Sequence, residues 1–319
     1  MQIVINNIIN KICSETKKTV KHGVIRVTTL TTGSEAWWQS KNGPEWERLE
    51  ESCRVTFWWR DPAGTQKTSS VKRVWLYVTG VTDHHQNARP QSLERIPDTN
   101  VWQWQGEFSP EWRGSYCFIP SENENDFADT VFEGELPDRM ALREGWRRLL
   151  PHAVSDPLNP QSWRGGRGHA VSALEMPDAP VQPGWNQPKT PFKAPICIEW
   201  ESARLKNRRR VWIFTTGDDG PERPLAVLLD GQFWAESMPV WPALASLTTG
   251  RQLPPAVYVL IDAIDIEHRS RELPCNPDFW LAVQEELLPQ VNNIAPFSDR
   301  ADRTVVAGQS FGGLSSLYA

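Results

Sequence analysis

Residues 303–319 read RTVVAGQSFGGLSSLYA. A β-branched run, Arg303–Gly308, leads into Gly308-Gln309-Ser310-Phe311-Gly312, and a helix-compatible run, GGLSSLYA, follows. The pentapeptide G-x-S-x-G alone is weak, because it occurs by chance. Between a strand and a helix it is what a nucleophile elbow requires. Small residues at 308 and 312 let strand and helix approach without a Cβ clash. Ser310 is therefore expected to project its hydroxyl from the sheet, beside a helix N-terminus.

The same grammar extends back to about residue 194. Pro224–Leu229 (PLAVLL) is a short apolar strand ending in Asp230-Gly231, and Ala256–Ile261 (AVYVLI) is another, ending in Asp262. Ile196–Arg204 and Arg209–Thr216 predict a hairpin, with the Lys206–Arg210 cluster in its solvated turn. The spacing in PDFWLAVQEELLPQVNN predicts a helix over 277–293. Buried apolar strands alternating with helices imply a parallel α/β sheet.

A serine nucleophile needs an oxyanion hole. One donor is expected to be the backbone N–H of Phe311, the residue after the nucleophile. The other is expected from the loop after an earlier strand, at Gly231 or Gln232, with glycine allowing close backbone approach; the alternative is a plain strand-to-helix turn. A base is also needed. In α/β-hydrolases the chain order is Ser, acid, His, yet the nine residues after Ser310 contain no Asp, Glu or His. All six histidines precede it: His22, His84, His85, His152, His169 and His268. His268, in DIEHR, is expected in a solvated loop.

The first half has a different character. RVTFWWR (54–60), VWLYVT (74–79), WQWQGEF (102–108) and GSYCFIP (114–120) are short β-branched and aromatic runs separated by turn signals. They predict a small antiparallel sandwich, with WRGSY at 112–116 entering its final strand. A short helix is expected over 138–150. Gly and Pro density then rises, which predicts a linker over 166–190. The resulting division is an extension at 1–33 (expected to be disordered), a sandwich domain at 34–165, the linker, and an α/β domain at 191–319.

Seventeen tryptophans are far above ordinary usage. They serve core packing, or line a pocket that stacks flat rings. A net charge of −5 argues against a general nucleic-acid binder. The five cysteines are widely spaced and odd in number, with no CxxC. No metal centre, cofactor or disulfide framework is expected, and a reducing compartment is. The apolar stretch near the N-terminus lacks the flanks of a signal peptide, and no run of 18 apolar residues exists to span a membrane.

From Ser34 to Ala319 the chain closely resembles the bacterial enterochelin (enterobactin) esterase family. The matching segments include SEAWWQSKNGPEW, VTFWWRDP, VTGVTDHHQN, EWRGSYCFIP, SDPLNPQSW, GGRGHAVSALEMP, LLDGQFWA, VYVLIDAID and AGQSFGGLS. The resemblance implies an immunoglobulin-like (E-set) sandwich followed by an α/β-hydrolase domain of the esterase D type. It implies a cytoplasmic enzyme acting on ferric enterobactin, a cyclic triester of 2,3-dihydroxybenzoylserine whose hydrolysis weakens iron binding. Family members continue beyond the elbow to the triad Asp and His, so the α/β domain is expected to be truncated here and activity impaired. Arg164, Arg167, Trp234 and Arg269 are the expected contacts to an anionic, flat-ringed catecholate ligand. Two other readings stand beside this one: a general carboxylesterase or acyltransferase, and a non-catalytic siderophore-binding protein.

Overall fold

The alternation in CRVTFWWR gives β2 (Cys53–Arg60), a strand with one buried face. The computed structural model describes residues 30–86, 89–130, 132–133, 136–164, 170–185 and 191–319. The expected disorder of 1–33 lies, up to residue 29, outside the described residues. A short helix, α1 (Glu35–Gln39), precedes β1 (Glu45–Arg48). With β2 these are followed by β3 (Arg73–Val78), β4 (Ser92–Arg95), β5 (Val101–Phe108), β6 (Arg113–Ser121), β9 (Ser162–Arg164) and β10 (Ala170–Glu175). They form one antiparallel array in the order β1-β2-β5-β4-β3-β6-β10-β9, with β7 (Phe132–Glu133) and β8 (Leu136–Pro137) as a separate ribbon.

β4 is the fold line of this array. Its Ser92 and Leu93 pair with β3, whereas Glu94 and Arg95 pair with β5. Val55, Phe57 and Trp59 of β2 share one core with Val74 and Leu76 of β3 and Tyr116 and Phe118 of β6. The two halves of the array therefore face each other across that core. The outer face of β3 and β6 (Trp75, Tyr77, Cys117, Ile119) is covered by α2 (Arg139–Leu149) through Leu142, Trp146 and Leu149. That 3–4 spacing is the apolar stripe of a surface helix. Asp138 caps α2 by accepting from the N–H groups of Met140 and Ala141 at 2.9 and 3.2 Å.

Part of the expected linker is strand. Residues 170–175 form β10, which pairs with β6 from Ser172↔Tyr116 to Glu175↔Arg113, so β6 is not the closing strand. The alternation in AVSALE buries Val171 and Leu174 on opposite faces. The Gly-rich composition before it marks only the connection from β9.

The second sheet has the order β11-β12-β14-β13-β15: β11 (Ile196–Ser202), β12 (Asn207–Thr215), β13 (Leu225–Leu229), β14 (Val257–Ile261) and β15 (Thr304–Ala307). β11 and β12 form the predicted hairpin, and β12 runs antiparallel to β14. β14, β13 and β15 are mutually parallel. One face packs on α5 (Pro277–Ala282), which passes through a π-turn (Val283–Leu287) into α6 (Leu288–Ile294). The other face packs on α3 (Trp241–Thr249) through Trp241 and Ala245. Two helices complete the element list: α4 (Ile266–Glu272) and α7 (Phe311–Tyr318). Among the described strands β15 is the sheet edge, and its Val305 is 59% exposed.

The Lys206–Arg210 cluster corrects its expectation. Arg209 is buried, donates to Glu272 and to the Asp262 carbonyl, and lies against the rings of Trp200 and Phe279. Arg210 pairs with Glu236 at 2.6 Å and Asp262 at 2.9 Å. These arginines belong to β12, not to its turn, because the strand begins at Asn207. The packing role expected for tryptophan holds at Trp38, Trp59, Trp75, Trp102, Trp146, Trp200, Trp212, Trp241 and Trp280, all buried.

Candidate active site at the carboxyl ends of the parallel strands

β15 lies beside β13 in the register Val305↔Ala226, Val306↔Val227, Ala307↔Leu228. It delivers the chain to Gly308 and then to Ser310, whose φ of 55° and ψ of −120° lie in the left-handed half of backbone space. A non-glycine residue rarely adopts such a φ, and its cost is tolerated where the surroundings fix it. The turn is closed by the Gly312 N–H donating to the Gln309 carbonyl at 2.8 Å. α7 begins at once at Phe311. Its far end is tied down by Trp280, whose indole Nε1 donates to the buried Ser315 Oγ at 3.1 Å and to its carbonyl at 3.2 Å. The Ser310 side chain makes no capping bond to α7, and the residue is exposed. The Phe311 amide lies in the first helical turn, where N–H groups lack intrahelical acceptors.

One strand away, Asp230 directly follows β13 and is also left-handed, with φ 56°. Its carboxylate accepts from Arg269 twice, from Nε at 2.6 Å and Nη2 at 2.9 Å. The same Nη2 donates to the Gln309 carbonyl at 3.0 Å. Arg269 thus clamps the loop after β13 to the elbow after β15. The Asp230 carboxylate, through its hydrogen bonds, holds the guanidinium above its ordinary pKa, so the clamp stays charged. The Arg269 guanidinium also lies 5.6 Å from the Phe311 ring centroid. Gln232 is fixed separately, its Oε1 accepting from the Ala263 N–H at 3.0 Å.

Gly231 is needed for a different neighbour than expected. A Cβ there would lie 2.5 Å from the Leu260 carbonyl carbon and 2.6 Å from the Ile261 nitrogen. The glycine therefore lets the loop cross the end of β14. Trp234 stands in the turn after it, edge-on to Phe233 at 4.7 Å and packed against the α3 face of the sheet.

The remaining expected residues divide. Arg269 lies on α4 and donates to Asp230 and to the Gln309 carbonyl. Arg164 closes β9, paired with Ala170. Arg167 and His169 lie outside the described residues, as does His22. His268 is in α4, not in a loop, because Asp265 caps that helix by accepting from the His268 N–H at 2.8 Å. Its ring Nδ1 lies 2.9 Å from both Asp265 oxygens. His84 and His85 follow β3, and His152 follows α2. A cleft of about 860 Å³ between Thr215–Asp219 and Arg251–Pro255 opens at the opposite ends of the parallel strands, away from Ser310.

Sequence reasoning missed Asp230 as the anchor of Arg269 and Asp262 as the partner of Arg210. The available signal was an aspartate directly after each apolar strand, in LLD and LID.

Residues 54–185 match the family described as enterochelin esterase, N-terminal, and residues 202–319 match the family described as putative esterase. An Iron(III) enterobactin esterase of Escherichia coli O6:H1 (strain CFT073) is 70% identical over 295 residues, covering 92% of this chain and 72% of that protein. The crystal structure of a ferric enterobactin esterase from Salmonella typhimurium superposes with a TM-score of 0.85 at 69% identity, covering 90% of this chain and 73% of the other. An enterobactin esterase from Shigella flexneri, crystallised in the presence of enterobactin, matches with a TM-score of 0.79 at 68% identity, covering 91% and 73%.

Proposed function

Because the chain belongs to the enterochelin esterase family, with a sheet-rich N-terminal part and an esterase domain, we propose that it cleaves the ester bonds of ferric enterobactin by a serine mechanism centred on Ser310. In this reading the N-terminal array is an immunoglobulin-like (E-set) sandwich and the second sheet an α/β-hydrolase core of the esterase D type. The observation that carries the mechanism is the left-handed Ser310 between β15 and α7, with the Asp230 loop clamped beside it by Arg269.

The Ser310 Oγ attacks an ester carbonyl carbon, and the hydroxyl proton passes to a base. The tetrahedral oxyanion is held by the Phe311 N–H and by the N–H of Gly231 or Gln232. The carbonyl–oxygen bond to the departing serine hydroxyl then breaks, and water releases the acyl group from Ser310. In the family's chain order of Ser, acid, His, the base is a histidine that follows the nucleophile.

Each cut opens the tris-catecholate chelate and weakens its hold on iron, which enters as substrate cargo and not as a resident cofactor. Arg164, Arg167, Trp234 and Arg269 are the proposed contacts to the anionic, flat-ringed ligand. No helix among the described residues is long and apolar enough to cross a membrane. The five widely spaced cysteines, odd in number and without a CxxC, fit a cytoplasmic site of action, where thiols stay reduced.

The test is chromatography of ferric enterobactin incubated with the purified chain and with Ser310→Ala. Linear trimer, dimer or monomer that disappears with Ser310→Ala is the expected result. Hydrolysis undiminished in Ser310→Ala refutes the serine mechanism. Unaltered ligand binding with no product from either protein favours a siderophore binder.

A further inference from the structure

The sequence VTDHHQ at 81–86 follows β3 and folds into a locked turn. Thr82 Oγ1 donates to the Leu76 carbonyl at 2.5 Å and accepts from the Val78 N–H at 2.8 Å. The Val81 and Thr82 N–H groups both donate to the Val78 carbonyl at 3.0 Å. This turn sends the Asp83 carboxylate inward, where its side chain is 1% exposed. One of its oxygens accepts from the His85 backbone N–H at 3.1 Å, and the other lies 2.9 Å from His85 Nδ1. Tyr77, on β3, orients the neighbouring ring: its Oη lies 2.8 Å from His84 Nδ1. The two imidazoles are side by side, with centroids 4.0 Å apart and planes tilted by 37°.

We propose that Asp83, His84 and His85 form a site for a borderline divalent cation such as Zn²⁺, separate from the ester-cleaving machinery. Their ligand atoms already lie within 4.8 Å of one another. In a tetrahedral zinc site, bonds of about 2.0–2.2 Å bring ligand atoms to roughly 3.3–3.5 Å of one another. The cluster therefore needs to contract by little more than about 1 Å, a movement within reach of the His85 side chain, which is 60% exposed. Two imidazoles with one carboxylate match the preference of zinc, and of cobalt and nickel, over the all-oxygen sets favoured by calcium and magnesium. A hydrogen bond to the other ring nitrogen is what orients a ligating histidine, and Tyr77 is placed to supply one to His84. A buried carboxylate gains most from a cation, because burial penalises its charge. Three protein ligands leave the fourth position to water or to an oxygen donor of a ligand. Because the turn is fixed to the sheet, a bound ion would brace the end of β3.

The experiment is zinc titration by calorimetry of the chelator-treated full chain, with His84→Ala/His85→Ala, His85→Ala and Asp83→Asn in parallel. Each variant is checked for folding by circular dichroism. The wild-type chain should take up one zinc more than the double variant, and Asp83→Asn should weaken that site at least about tenfold. The exposed His85→Ala keeps the test decisive should the double variant fold poorly, since it should lose the same site. X-ray absorption of the zinc-loaded chain should show nitrogen and oxygen neighbours at about 2.0–2.2 Å. Equal zinc uptake and affinity in wild type and His85→Ala overturns the proposal. So does a sulfur shell at about 2.3 Å, which would put the ion on cysteines.

Discussion

Replacing Gly308 with alanine should loosen α7 from β15, whereas the same change at Gly312 should not. A Cβ on Gly308 would lie 2.5 Å from the Gly312 carbonyl oxygen and 2.8 Å from its Cα. Both are backbone atoms of a helix anchored by Trp280, so no side-chain rotation relieves the clash. Carbon atoms rest at about 3.5–4.0 Å, so helix and strand would have to part by roughly 1 Å. Overpacking of this kind costs about 1–3 kcal/mol, and with only backbone to move the upper figure is expected. At Gly312 an added Cβ would meet Asp230 Oδ2 and Leu229 Cβ at 3.4 Å, an ordinary contact. There alanine gains about 1 kcal/mol of helix propensity over glycine. The assay is hydrogen exchange by mass spectrometry on peptides covering 304–319, where a local reading avoids fitting one unfolding step to a two-part protein. Gly308→Ala should speed exchange in α7 by on the order of 100-fold, or to the unprotected rate if that is reached first, since about 1.4 kcal/mol is tenfold. Gly312→Ala should leave exchange unchanged or slow it. Equal protection in the two variants would refute the close approach on which the elbow geometry rests.

Two further outcomes follow from buried charge. Burial pushes the Asp61 carboxyl upward, but Ser69, Arg95 at 2.5 Å and the Ala63 N–H outweigh it and hold its pKa below the ordinary value. A depressed folded pKa stabilises above the unfolded value of about 3.9 and is lost as pH falls through the folded one. Urea midpoints should therefore fall below about pH 4 in the wild type. Asp61→Asn should be weaker by about 3 kcal/mol at pH 7 and flatter against pH; a variant with the wild-type pH slope would remove Asp61 as the cause. Arg209→Met strands the buried Glu272 carboxylate and should cost about 3–5 kcal/mol, most of it recovered by adding Glu272→Leu. Urea unfolding of the single and double variants checks this, and a single-variant loss under about 1 kcal/mol would contradict it.

The parts of the fold that could be read from sequence are those in which one local pattern decides. Short β-branched and aromatic runs bounded by turn signals placed β2, β5 and β6 within a residue at each end, and continuous apolar runs ending in Asp placed β13 and β14. The parts that could not be read depend on distant partners. β10 sits inside a Gly- and Pro-rich stretch whose composition reflects its connections, and its pairing with β6 bridges some sixty positions, as in Ser172↔Tyr116. α4 carries exposed charges and little apolar periodicity, so its hydrophobic pattern does not distinguish DIEHRSRE from a loop. It is held by the Asp265 cap and by Glu272 on Arg209. At the site, Ser310 was legible because the elbow is a contiguous motif. The role of Arg269 was not, because its partners Asp230 and Gln309 lie 39 and 40 positions away.

The chain turns through a left-handed residue at or just after the carboxyl end of each parallel strand: Asp230 after β13, Ile264 after β14 and Ser310 after β15, at φ 56°, 66° and 55°. Each such residue costs on the order of 1–3 kcal/mol and persists only where its surroundings over-determine it. The braces are visible at all three. Arg269 holds Asp230 and the residue before Ser310 with one guanidinium. Asp262 accepts from the Ile264 N–H at 2.9 Å while its other oxygen is held by Arg210. Gly312 closes the elbow on Gln309. Donors aimed at a developing oxyanion are useful in proportion to how little they must move when it forms. A frame tied through Arg269 resists such movement: displacing the Asp230 loop would break a charged, bidentate contact, and displacing the elbow would break the bond to the Gln309 carbonyl. The strain at Ser310 and the ion pair at Asp230 are therefore two parts of one device, and a substitution at Arg269 should disturb both loops together.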